Sequence, residues 1–221
     1  MSIMDNEPIE REPTPEAFIR LAWDETVLPY VAEELHPIAR DIIDDTINEY
    51  SDGRRKYHTL DHIADCIKKL EPYKEREDYL KLFLALLWHD EVYDTDAHDN
   101  EEKSGEVAAI KMGWLKLPGP ETVRRLIVVT KHPNPGAEDE ALMCDIDMSI
   151  LAEDEDIYRA YSTGIREEYG QYSDEEYYAG RLKALESFSS PFKHPDFIHM
   201  NEKAEHNTKT EIKSLRLRML S

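Results

Sequence analysis

Three short segments of this chain carry residues able to bind a cation or move a proton. The first is RRKYHTLDHI, residues 54–63, with His58 and His62 four positions apart. On a helix that spacing puts two imidazoles on one face about one turn apart, where both address one site. In the second, YLKLFLALLWHDEVYD, a nearly continuous apolar run ends in His89-Asp90. Adjacent helical residues diverge by about 100°, so the pair reaches one metal only if it sits in a notch near a helix end. Imidazole nitrogen with carboxylate oxygen suits manganese, iron, cobalt, nickel or zinc better than calcium. The third, ALMCDIDMSILAED, sets Asp145 and Asp147 in an apolar helical stretch. A buried carboxylate is costly unless a cation or hydrogen bonds neutralise it. Two positions apart on a helix, the two face different ways, so one is expected in a site. The other readings for each are a salt bridge or a helix cap.

The elements that must position these residues read as helices throughout, and no segment sustains a period of two. Residues 1–13 form a polar tail with two prolines, ending where Thr14 caps a helix with Pro15 at its first position. Helical periodicity predicts further helices over about 31–50, 58–71, 77–90, 100–116, 120–131, 138–151, 154–169 and 174–188. They are separated by Gly53, Pro72, the polar run 94–99, and the Pro-Gly turns at 117–120 and 133–136. The expectation is one all-α domain over residues 14–190, with a C-terminal extension over 191–221. Within that extension EIKSLRLRML could form a last helix, docked on the core or on a second copy in a homodimer.

Composition narrows the function. With 48 acidic against 27 basic residues and a net charge of -21, most of the surface repels nucleic-acid polymers and anionic membranes. A small phosphorylated substrate stays compatible, because one cation and a few basic side chains reverse the field inside a pocket. Cys66 and Cys144 lack metal-knuckle spacing and read as buried free thiols. No run approaches the roughly 20 apolar residues of a membrane span, and the acidic N-terminus lacks the regions of a secretory signal, so the expected location is cytoplasmic. No Walker loop, Gly-rich dinucleotide turn or serine-centred triad is present.

The order His, then His-Asp, then Asp resembles the HD superfamily of metal-dependent phosphohydrolases. It is most similar to a small bacterial group with RxYHxxxHI, WHD and DNEExSA-like segments, here RKYHTLDHI (55–63), WHDEVYD (88–94) and DNEEKSG (99–105). VTKH (129–132), DIDMSIL (145–151) and IREEY (165–169) extend the resemblance to about residues 15–190. It implies an HD-type helical bundle with a divalent metal held by His58, His89, Asp90 and Asp147; a carboxylate placed as Asp90 is can also bridge two metals or orient the metal-bound water. It implies Arg55 on substrate phosphate and His62 behind the ligands or beside the substrate. Glu101 is then a proton-transfer or water-mediated metal residue, or merely a helix-start carboxylate. Lys131 and His132 become phosphate-side donors, while Arg166 and Tyr169 reach the pocket or close the core. Tyr93, Trp88 and Tyr57 would stack on a base or sugar, or pack in the core. Gly105 stands where the group shows Ala. The implied reaction is attack of metal-activated water on phosphorus of a small phosphorylated metabolite, a nucleotide by analogy. Two alternatives accompany it. HDEVYDT resembles the HDxxEDT segment of guanosine tetraphosphate hydrolases with Tyr93 replacing Glu, and an HD domain can bind nucleotides without turnover.

Overall fold

The computed structural model describes residues 12–131, 134–188 and 190–220, and among these it holds ten α-helices, several short 3-10 turns and no strand. The helices are α1 Pro15–Thr26, α2 His36–Tyr50, α3 Leu60–Leu70, α4 Tyr79–Trp88, α5 Asn100–Trp114, α6 Pro120–Val128, α7 Glu138–Asp147, α8 Glu155–Glu168, α9 Asp174–Ser187 and α10 Asn201–Arg218. Helix α1 starts where the Thr14 hydroxyl accepts a hydrogen bond from the Ala17 amide at 3.3 Å, with Pro15 supplying a fixed φ and no orphan donor.

Helix α4 is the axis of the bundle. Leu80 and every residue from Leu82 to Trp88 are buried, so the helix is apolar on all sides, as a helix surrounded by others must be. It packs against α3, α5, α6 and α7. Trp88 meets Trp23 of α1 edge to face, with ring centroids 6.0 Å apart. One hydrophobic core runs through α1–α7 and takes in Phe192, Phe197 and Ala204 beyond α9, so the chain is one helical domain. Helices α5 and α6 approach closely at Gly105, where a Cβ would stand 2.8 Å from Arg124 Cγ.

Three boundaries differ from the periodicity. Helix α2 begins at His36, after 3-10 turns at Leu28–Tyr30 and Glu33–Leu35, because Pro37 lacks an amide hydrogen and is tolerated only in a first turn. Helix α3 begins at Leu60, leaving His58 in the preceding turn, so His58 and His62 do not share a helical face. The last helix begins at Asn201, ten residues before the pattern suggests, because polar contacts dock it. Asn207 Nδ2 donates to the Leu151 and Glu153 carbonyls at 3.0 and 2.9 Å, and Arg181 pairs with Glu211 at 2.9 Å. No helix among the described residues is long and apolar enough to cross a membrane.

Because α4 is enclosed on every side, Leu84→Ala should cost about 2–5 kcal/mol. Urea titration would read this as a lower midpoint at unchanged m-value, whereas a loss under about 1 kcal/mol would show that the surrounding helices close the cavity.

Candidate metal centre

His89 and Asp90 follow the last residue of α4, and Asp147 is the last residue of α7. His62 lies in the first turn of α3. Their side chains converge. His89 Nε2 stands 2.9 Å from Asp90 Oδ2 and 3.2 Å from Asp147 Oδ1. His62 Nε2 stands 3.7 and 3.2 Å from the same two oxygens, and 3.3 Å from His89 Nε2. The imidazoles are buried and the carboxylates are partly open, with side-chain exposures of 18% for Asp90 and 21% for Asp147. His58 lies at the margin, its Nε2 3.9 Å from Asp90 Oδ2.

The donor set fits a divalent cation. His89 Nδ1 donates to the Leu86 carbonyl at 2.9 Å, which leaves the Nε2 lone pair facing the cluster, the tautomer a metal-binding imidazole needs. Two imidazole nitrogens facing each other at 3.3 Å need a proton or a cation between them. Burial opposes a charged imidazole, yet Asp90 and Asp147 push His89 well above the ordinary histidine value. Burial likewise opposes ionised carboxylates, yet His89 and His58 hold Asp90 far below the usual range, and His89 and His62 do so for Asp147. A divalent cation held by these groups would likewise favour the ionised carboxylates. His62, His89 and Asp90 form one group able to hold a metal, and His62, Cys66 and Asp147 form a second that shares His62. Cys66 Sγ lies 3.8 and 3.9 Å from the two His62 ring nitrogens, equidistant as for a thiol packed on the ring face.

The residue that organises the margin is Glu168, which the sequence reading passed over between Arg166 and Tyr169. Its Oε1 accepts from the amides of Lys56, Tyr57 and His58 at 2.7, 2.8 and 3.0 Å. Its Oε2 lies 2.7 Å from His58 Nδ1 and accepts from the Tyr93 hydroxyl at 2.8 Å. Those amide bonds pin residues 56–58 in a turn and explain why α3 starts late. Burial works against the Glu168 charge, but His58 and the amides bring its pKa down to about 2. His58 is correspondingly raised, with burial opposing and Asp90 and Glu168 prevailing.

The remaining sequence candidates have these places. Arg55 is buried, and its guanidinium donates to the carbonyls of His58, Asp90 and Glu91 at 3.2, 2.8 and 2.8 Å, close to the Tyr50 and Tyr93 rings. It is thus engaged with the chain that bears the site. Tyr93 lies on the His58 ring, centroids 4.4 Å apart, while Trp88 is core. Tyr57 packs between His62 and Tyr161. Lys131 Nζ donates to both Glu102 carboxylate oxygens at 2.7 and 2.8 Å and stands 4.0 Å from Glu101. Glu101 is half-buried, and burial raises its pKa. Arg166 bonds the Tyr169 and Tyr172 carbonyls and Asp174. His132 lies outside the described residues. Asp145 is fully buried away from the cluster, its Oδ2 accepting from the Lys193 and His194 amides at 2.8 and 2.6 Å.

No protein-family model, curated protein or solved structure matches this chain, so its similarity to other proteins adds nothing to the geometry.

Two tests follow. Asp145→Ala should lower stability by about 1–3 kcal/mol by orphaning two amides and leave metal content intact, whereas Asp147→Ala should strip bound metal; metal analysis and thermal melting separate the two. The Glu168 pKa is depressed on folding, so its contribution, on the order of 3 kcal/mol, is complete above the unfolded value near 4.5 and lost as pH falls toward about 2. Glu168→Gln should therefore be less stable than wild type at neutral pH, with the gap closing on acidification. A gap independent of pH would contradict this account.

Proposed function

We propose that this chain is a metal-dependent phosphohydrolase of the HD superfamily, acting on a small phosphorylated metabolite of the nucleotide class. The observation that carries the reading is the convergence of two imidazole nitrogens and two carboxylate oxygens from three separated segments, each nitrogen within 3.7 Å of both oxygens. His62, His89, Asp90 and Asp147 would hold the cation. This puts His62 where the resemblance puts His58, because His62 Nε2 is near both carboxylates while the His58 ring is turned toward Glu168. A divalent cation bound there supplies Lewis acidity toward a phosphoryl oxygen and a nucleophilic water at neutral pH.

The surrounding residues then divide the work. His58 accepts or returns a proton at Nε2, its Nδ1–H fixed by Glu168 and its ring backed by Tyr93. Asp90 orients the attacking water through whichever oxygen is free of the cation. Arg55 acts by holding the carbonyls of His58, Asp90 and Glu91, which sets the separation of the histidine from the metal ligands. Lys131, beside Glu101 and Glu102, offsets phosphoryl charge, and Glu101 with its raised pKa is a proton carrier on that side. The acidic surface favours a small substrate over a polymer.

The experiment is a screen of phosphorylated metabolites with manganese-loaded protein, with phosphate and pyrophosphate detected separately. His62→Ala should lose both metal and turnover. His58→Ala should keep stoichiometric metal while turnover falls by about 10²–10⁴-fold, the range for a lost general acid–base. Metal loss in His58→Ala would return His58 to the ligand set. Loaded protein that binds nucleotides without releasing phosphate would make the domain a sensor.

A further inference from the structure

A second cavity, of about 590 Å³, lies between α8, α9 and α10, and none of the metal-centre residues lines it. Its walls are aromatic and arginine-bearing: Tyr158, Arg159 and Arg166 from α8, Tyr177 and Tyr178 from α9, Arg218 from α10. The lining holds three arginines and three carboxylates and so carries no net charge, in contrast to the excess of 48 acidic over 27 basic residues in the chain as a whole. One of those carboxylates, Glu211, is already neutralised, since Arg181 donates to it at 2.9 and 3.2 Å and both side chains are buried. The Tyr158 and Ser162 hydroxyls also donate to it, at 2.5 and 2.9 Å. The floor is therefore a rigid, satisfied network.

The rim is different. Arg159 pairs with Glu155 at 2.6 Å and Arg166 with Asp174 at 2.7 Å, and the carboxylates of both pairs are largely exposed. An exposed pair such as Arg159–Glu155 contributes little net free energy, so an incoming phosphate, which presents more oxygens to a planar guanidinium, can compete for Arg159, whereas Arg166 is also held by the Tyr169 and Tyr172 carbonyls. Arg166 also lies 4.8 Å over the Tyr177 ring. The Tyr177 hydroxyl is one of five buried side-chain polar atoms without a hydrogen-bond partner among the described residues. The combination offers aromatic side chains for a planar ring and the Arg159 guanidinium for an anion.

We infer that this cavity is a second small-molecule site, independent of the metal centre, that takes a phosphorylated compound with an aromatic ring, of the nucleoside monophosphate class. The volume suits such a ligand. Helix α8 is common to both sites, since it ends at Glu168, which fixes His58.

The test is calorimetric titration of adenosine 5′-monophosphate into full-length Asp90→Ala protein, in which the metal centre is disabled, with adenosine and inorganic phosphate as separate probes. The nucleotide should bind one per chain and more tightly than either fragment. Arg159→Glu and Tyr178→Ala, both at the cavity's rim, should each weaken it by about tenfold or more. Absence of binding, or binding that both replacements leave unchanged, overturns the inference. Cobalt uptake by the wild-type chain is measured alongside, so failure of the metal centre and failure of this cavity are separately visible.

Discussion

A single buried carboxylate fixes the geometry on which the site depends. Glu168 accepts from three consecutive amides, from the His58 ring and from the Tyr93 hydroxyl. A carboxylate taken out of water with nothing around it would protonate; this one has enough donors to stay charged, with a pKa down to about 2. The charge is what organises the turn. Three amides that would otherwise seek helical partners are satisfied by one side chain from a helix more than a hundred residues away, and His58 is left with Nδ1 engaged and Nε2 toward Asp90. Without that anion, residues 56–58 have no reason to remain outside the helix, and His58 would rotate with its backbone.

The His89-Asp90 corner is held by a second polar network. Trp88 Nε1 and Lys111 Nζ both donate to Thr46 Oγ1, at 3.1 and 2.8 Å, and Lys111 also pairs with Glu91. Thr46 on α2 thus clamps the residue before the ligand pair and, through Lys111, the residue after it. Burial raises the Glu91 pKa in spite of Lys111, so the pair costs desolvation that its attraction only partly offsets. A buried pair of this kind is weak as a source of stability and is better understood as setting register. With Arg55 on the Asp90 and Glu91 carbonyls, the segment beyond α4 has one orientation available. The clustered side chains inherit their placement from groups outside the cluster.

What was legible in the sequence follows from the range of the forces involved. Helices with a clear apolar stripe or a proline boundary were readable, because periodicity and capping are local properties. The enclosed α4 announced itself by having no polar face, and the ligands at its end stood out by contrast. Glu168 did not, since its role comes from amides far away in the chain and a glutamate near a helix C-terminus is locally unremarked. The start of α3 was misread for the same reason: the periodic run includes His58, and only the distant carboxylate takes it out. The first ten residues of helix α10 carry no periodic signal, because Asn207 docks that part by hydrogen bonds, which leave no hydrophobic signature. Asp145 and Asp147 could not be told apart by type, and their partners separate them, backbone amides for one and imidazoles for the other.

Charge connects the centre to the kind of substrate it would accept. The chain's field, from a net charge of -21, concentrates divalent cations near its surface and repels phosphates. Asp90 and Asp147 add two ionised carboxylates at the centre itself. A phosphorylated molecule therefore meets repulsion until a cation is in place, after which the local sign changes over a few ångströms only. A nucleotide-sized substrate fits inside that reversed zone and gains from it. A polymer would carry most of its phosphates across surface that still repels them, each one adding to the cost. Under the proposed function, selectivity for small substrates would need no dedicated gate, because it would follow from confining a cation's field to one site of an acidic protein.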